Sequence, residues 1–174
     1  MRYRAVVWRP LVITALAAGA LTGAQGGAYA APAAYAHHPG SVRIITFAGK
    51  CFDVKGASWA DTTPIIQYHC NGGANQRFRI LGIGWGQSQI RTFAGKCLTV
   101  TGASWANMTP VIQYHCNGRA NQRFRILGIG WGRFQIRTSG GKCLTVRYGS
   151  RADRTPIVQY RCTGTYAQRF RFFR

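Results

Sequence analysis

From Val42 onward the chain alternates short apolar runs with glycine-marked breaks, and no stretch there has a helical period. Residues 76–81 show the pattern best. Phe78 and Ile80 alternate with Arg77 and Arg79, a period of two that turns the apolar side chains inward and the arginines to water. Three runs precede it: residues 42–46, a run starting at Cys51, and the Pro-Ile-Ile-Gln-Tyr segment that leads into Cys70. Each reads as a strand, and Gly49, Gly56, Gly72, Gly82, Gly84 and Gly86 read as the turns between strands.

The pattern then returns twice. Residues 43–88 and 89–134 agree at 35 of 46 positions, and residues 135–174 form a third copy. The first strand recurs at 89–92 and 135–138. Cys51, Cys97 and Cys143 stand 46 residues apart, each followed 19 positions later by Cys70, Cys116 or Cys162. A fixed period of this size marks one supersecondary unit assembled with copies of itself. Three copies of four strands make twelve. A linear stack needs polar end caps, yet the outer copies resemble the middle one. A propeller takes at least four blades. A barrel closed by three copies leaves no exposed edge. The expected fold is therefore all-β, a β-trefoil.

The first thirty residues read differently. Arg2, Arg4 and Arg9 precede an apolar, alanine-rich run and an Ala28-Tyr29-Ala30 cleavage signal, the form of a secretory signal peptide. Residues 31–40 read as a flexible leader, and 41–174 as the folded domain. His37 and His38 in the leader have no further ligands beside them, so no metal site is expected. No segment of the mature chain is expected to span a membrane. Six cysteines in an exported chain imply disulfides. The repeat selects Cys51–Cys70, Cys97–Cys116 and Cys143–Cys162, because other pairings would give the copies different covalent environments. Each closes a loop worth about 3 kcal/mol in chain entropy.

Charge narrows the partners. The net charge is +20, and removing the three signal-peptide arginines leaves +17. Such a surface attracts anionic polymers of many kinds. The acids are Asp53, Asp61 and Asp153, with no glutamate. Glycoside hydrolysis generally needs a carboxyl pair across the scissile bond. There is no spare cysteine nucleophile and no G-x-S-x-G serine. The chain is not expected to be an enzyme or to need a cofactor.

The frame GKC-[LF]-D-V, then G-A-S, T-P-x-I-Q-Y-x-C-N-G and A-N-Q-R-F resembles the ricin B-type β-trefoil lectin domain. The family's Q-x-W motif is present as Gln76-Arg77-Phe78, Gln122-Arg123-Phe124 and Gln168-Arg169-Phe170, with Phe for Trp. The resemblance implies up to three shallow sugar sites. In each, an Asp accepts from sugar hydroxyls, an aromatic two residues before the second cysteine stacks on the sugar, and an Asn before the motif glutamine completes the ring. The first copy has the whole set in Asp53, Tyr68, Asn75 and Gln76. The second has Tyr114, Asn121 and Gln122, with Thr99 for the Asp. The third keeps Tyr160 and Gln168, with Thr145 for the Asp and Ala167 for the Asn, and ranks last. Ile66 stands where many members carry a polar residue, and Gln67 lies beside it, which leaves a shifted strand register open.

Other roles compete at several of these positions. The tyrosines recur in every copy, as packing residues would. The motif glutamines suit turn backbone groups. Asp53 is not repeated, which favours function. Asp61, Asn107 and Asp153 read as Asx-turn residues. His69 and His115 either reach a sugar or sit solvated. Trp59, Trp105, Trp85 and Trp131 read as contact surfaces or barrel-end fillers. Two functions follow. One is a secreted lectin for glycans, with weak sites made useful by multivalency. The other is a polyanion binder for acidic polysaccharide, a teichoic-acid-like polymer or, non-specifically, nucleic acid, acting through Arg77, Arg79, Arg123, Arg125, Arg169 and Arg171.

Overall fold

The short alternating runs become twelve strands in the computed structural model, which describes residues 40–174. The expected export signal over residues 1–30 and the expected leader through residue 39 lie outside the described residues. The strands are β1 (Ser41–Ile45), β2 (Cys51–Val54), β3 (Ile65–Tyr68), β4 (Phe78–Gly82), β5 (Ser88–Arg91), β6 (Cys97–Val100), β7 (Val111–Tyr114), β8 (Phe124–Gly128), β9 (Phe134–Thr138), β10 (Cys143–Val146), β11 (Thr155–Tyr160) and β12 (Arg171–Phe173). No helix among the described residues is long and apolar enough to cross a membrane.

Six strands close a barrel. β1 pairs with β4, β4 with β5, β5 with β8 and β8 with β9, all antiparallel. β12 pairs with β1, and a bridge between Phe134 and Phe170 joins β9 to β12. Its two backbone hydrogen bonds, 2.8 and 2.9 Å, complete the ring and remove the free edge. The hairpins β2–β3, β6–β7 and β10–β11 form a triangular cap. Each copy carries its predicted disulfide.

The core is filled by the same positions of each copy. Ile44, Ile90 and Ile136 form one set, Phe52, Leu98 and Leu144 another, and Phe78, Phe124 and Phe170 a third, all fully buried. The aromatic of each Q-x-F motif is therefore a core residue. Each such phenylalanine contributes about 1.5–3 kcal/mol through burial. Phe52, larger than its leucine counterparts, meets Phe170 edge-on at 5.0 Å. Residues 76–77 are not strand. A 3-10 turn over Ala74–Gln76 precedes β4, so Gln76 leaves the sheet and turns inward, fully buried.

The copies grip one another in a cycle. Gln113 Nε2 donates to Ser58 O and Ala60 O, both at 2.8 Å. Gln159 does the same to Ser104 O and Ala106 O, and Gln67 to Ser150 O and Ala152 O. Each glutamine thus satisfies two loop carbonyls of the neighbouring copy. This explains Gln67 beside Ile66 without any register shift: Phe52 pairs with Gln67 and Asp53 with Ile66, so Gln67 faces the interior.

Two expectations change. Asp61 and Asp153 are not local Asx-turn residues. Asp61 accepts from Lys96 Nζ at 2.6 Å and lies 3.1 Å from His115 Nδ1. Asp153 accepts from Lys50 at 2.5 Å and lies 3.0 Å from His69 Nδ1. Asn107 Oδ1 accepts from Arg161 N at 3.0 Å. All three latch onto the next copy. The GASWA tryptophans do the same. Trp59 meets Phe93 at 5.1 Å, and Trp105 sits on Gly140, where a Cβ would come within 3.0 Å of its ring. Arg151 takes the corresponding place in the third copy, over the Phe47 ring at 5.3 Å. Arg123, which is exposed, and Arg169 keep their charge but are tethered locally. Each donates twice to a turn carbonyl, Gly118 O or Gly164 O.

Candidate functional site

Strand pairing decides which side chains meet in the first copy. Cys51 lies opposite Tyr68 and Asp53 opposite Ile66. Directly opposed residues share a face, and alternate residues along a strand share it too. Asp53, Ile66 and Tyr68 therefore point outward from the cap together, while Phe52, Val54, Ile65 and Gln67 point into it. The 3-10 turn over Ala74–Gln76 then delivers Asn75 and Gln76 to the carboxylate.

Asp53 is only 3% exposed. Its Oδ2 accepts from Asn75 Nδ2 and Gln76 Nε2, each at 2.9 Å. Gln76 Nε2 also donates to His69 O at 2.9 Å, and its Oε1 accepts from Asn71 N at 2.9 Å. The glutamine is thus a backbone clamp, as its recurrence suggested. Asp53 Oδ1 has no hydrogen-bond partner among the described residues and is not among the polar atoms sealed from solvent. Burial raises the Asp53 carboxyl above the usual carboxylate range, against hydrogen bonds from Gln76 and Asn75 and the nearby His69. Gly73 leaves room for this arrangement, since a Cβ there would fall 2.5 Å from Asn75 Oδ1. The half-buried Tyr68 ring lies beside that of the exposed His69, with centroids 4.2 Å apart. His69 also contacts Asp153, so it belongs to the latch as well as to the rim of this cradle.

The other copies replace the carboxylate with a hydroxyl that is already used. Thr99 Oγ1 donates to Cys97 O at 2.9 Å and accepts from Gln122 Nε2 at 3.1 Å. Thr145 repeats this with Cys143 O and Gln168 Nε2. Threonine thus meets the glutamine's need without offering a charged acceptor. Asn121 Nδ2 keeps Val100 O at 3.0 Å, while its buried Oδ1 is unpaired. Tyr114 pairs with His115 as Tyr68 does with His69, at 4.1 Å. Asp53, Tyr68, His69, Asn75 and Gln76 therefore converge, and so do Tyr114, Asn121 and Gln122, but only the first set has a spare carboxylate oxygen.

The sequence reading missed a second feature. In the third copy a cleft of about 510 Å³ includes Met108, Thr145, Tyr148, Tyr160, Tyr166 and Ala167. Tyr148 stands where the other copies have Gly56 and Gly102, and Tyr166 where they have Ala74 and Ala120. Its sequence signal is two tyrosines in place of small residues, a departure from the repeat that carries no periodic mark.

Several solved structures are similar to this chain in fold. The designed three-fold symmetric protein ThreeFoil is 33% identical over 78% of this chain and 99% of its own, with a TM-score of 0.76. The exo-beta-1,3-galactanase 1,3Gal43A from Clostridium thermocellum is 28% identical over 77% of this chain, with a TM-score of 0.75. This chain covers only 30% of the galactanase. The Macrolepiota procera ricin B-like lectin, solved with lactose, shares the fold at 20% identity, covering 77% of this chain and 94% of its own, with a TM-score of 0.66. No curated protein sequence matches the chain. Threefold closure, the Q-x-F clamps and a family model matched at residues 40–129 and again at 85–174 place the chain in the ricin-type beta-trefoil lectin domain family.

Proposed function

We propose that this protein is a secreted carbohydrate-binding protein that holds a pyranose in the cradle of its first copy. The observation that carries this is the unspent Asp53 Oδ1 on the face that Asp53 shares with Tyr68, a charged acceptor where Thr99 and Thr145 offer only a neutral hydroxyl that already donates once and accepts once. A sugar offers hydroxyl donors on its edge and an apolar C–H face, and a carboxylate beside an aromatic ring answers both. A galactanase and a lactose-bound lectin among the structural neighbours support the reading. A single shallow site is weak, so avidity on polymeric glycans supplies the useful affinity.

A polyanion reading has one observation in its favour. Arg79 lies directly opposite Arg91, and Arg125 opposite Arg137, on paired barrel strands. Like charges so placed repel, and an anion between them relieves the repulsion. The three acids do not offset this surface, since Asp53 sits in the cradle and the other two in latches.

A glycan array read at low and high salt separates the two. Signal on neutral glycans that survives high salt and disappears in Asp53→Ala supports the lectin reading. Signal confined to anionic glycans, falling steeply with salt and indifferent to Asp53→Ala, replaces it with the polyanion reading.

A further inference from the structure

The third copy has lost the polar groups that define the first cradle, yet its site has been rebuilt rather than emptied. Tyr148, Tyr160 and Tyr166 converge on one cleft, joined by Met108 from the loop of the second copy. Its volume, about 510 Å³, falls within the range of about 300–1,000 Å³ common to small-molecule sites. Several of the cleft's polar groups are already engaged, while the exposed Thr163 and Thr165 hydroxyls share one hydrogen bond at 3.3 Å. Thr145 Oγ1 donates to Cys143 O and accepts from Gln168. Gln168 also donates to Arg161 O, and its Oε1 accepts from Thr163 N and Gly164 N. Ala167 offers only a methyl group. What remains is aromatic and thioether surface with phenolic and threonine hydroxyls, its rings each carrying one neighbour, Arg147 over Tyr148 at 4.9 Å, Arg161 over Tyr160 at 5.6 Å and Phe47 against Tyr166 at 4.7 Å, a setting suited to a flat aromatic ring.

Tyr148 adds an independent sign. Its φ is 55°, in the left-handed region, where Gly56 and Gly102 occupy the same place in the other copies. Its side chain is 80% exposed. Arg147 lies over its ring at 4.9 Å and donates to its hydroxyl at 3.3 Å, so the strained position holds the ring out at the mouth of the cleft.

We infer that the third copy carries a separate binding site for an aromatic ring, formed by Tyr148, Tyr160, Tyr166 and Met108. The ligand class is a neutral aryl group, either free or attached to a larger molecule. This inference does not depend on sugar binding in the first copy.

The test is an NMR titration with methyl 4-hydroxycinnamate, whose neutrality keeps the cationic surface out of the readout, alongside methyl β-galactoside. Parent, Tyr148→Gly, Tyr166→Ala and Asp53→Thr proteins are compared. The aryl ester is expected to saturate with shifts at the three tyrosine rings. Its affinity should fall about fivefold or more in each tyrosine variant and hold in Asp53→Thr. Tyr148→Gly should melt no lower than the parent. Shifts scattered without saturation, unchanged affinity in Tyr148→Gly, or a large drop in its melting temperature overturn the inference. Methyl β-galactoside reports separately on the first copy, so failure of one site is not mistaken for failure of the other. A second aryl arm, 4-hydroxyphenyl β-galactoside, must bind at the same rings in Asp53→Thr for the attached form to stand.

Discussion

Replacing Asp53 with threonine gives the first copy the floor that the second already has. The new hydroxyl takes the Gln76 amide, as Thr99 takes that of Gln122 at 3.1 Å. Asn75 keeps Val54 O, as Asn121 keeps Val100 O. What disappears is the carboxylate oxygen left open to a ligand. A hydrogen bond to a charged group contributes about 1.5–3 kcal/mol, so sugar affinity should weaken roughly 10- to 100-fold. Stability should move the other way. Burial raises the Asp53 carboxyl, so the fold favours its protonated form. Below the unfolded-state pKa the acid is neutral in both states and costs nothing. As pH rises through that value toward the raised folded one, the fold loses stability. Asp53→Thr should therefore melt no lower than the parent at pH 7, and its advantage should shrink as pH drops below the carboxylate range. Calorimetric titration with the best array glycan and melting curves at pH 3 and pH 7 supply both readouts. Undiminished affinity, or a variant that melts several degrees lower at pH 7, refutes the reasoning.

Three further outcomes test the scaffold. Gln67→Leu strands Ser150 O and Ala152 O, each held at 2.8 Å, and should cost about 2–4 kcal/mol in urea denaturation. The same change at Gln113 or Gln159 should cost a similar amount, and a much smaller loss at one of them breaks the claim of cyclic closure. The Asp61 and Asp153 carboxyls are held low by hydrogen bonds from Lys96 and Lys50 first, then from His115 and His69. Their contribution is present above the ordinary carboxylate pKa and fades as pH falls through the depressed folded value, so Asp61→Asn and Asp153→Asn should flatten that acidic part of the melting curve. Trp85 has φ 54° and is 94% exposed at a hairpin tip. Trp85→Gly should stabilise by about 0.5–1 kcal/mol, the left-handed penalty less the entropy of glycine, as measured by chemical denaturation.

What each copy holds within itself was legible in the sequence. Period 46 yields twelve strands and three disulfides, because each depends on contacts within one copy or on the requirement that all copies match, while the grouping of Asp53 with Tyr68 came from the family resemblance. Contacts between copies were not legible. Asp61 looks like a turn residue when only its neighbours along the chain are considered, yet its partners Lys96 and His115 lie 35 and 54 positions away. Gln67 looked like a displaced binding residue for the same reason, since its acceptors belong to the third copy. The cleft of Tyr148 and Tyr166 escaped notice because no copy-to-copy match marks it. Substitutions that depart from a repeat carry no periodic signal, and only folding shows that two of them meet.

The central claim is that one copy of three retains an open carboxylate acceptor for a saccharide. A crystal structure of the protein with its tightest array oligosaccharide tests it most directly. The account predicts a sugar in the first copy, a hydroxyl within hydrogen-bond reach of Asp53 Oδ1, and its ring against Tyr68. A sugar seated equally at Thr99 or Thr145, or bound only along the arginine strands with the Asp53 cradle unoccupied, contradicts it.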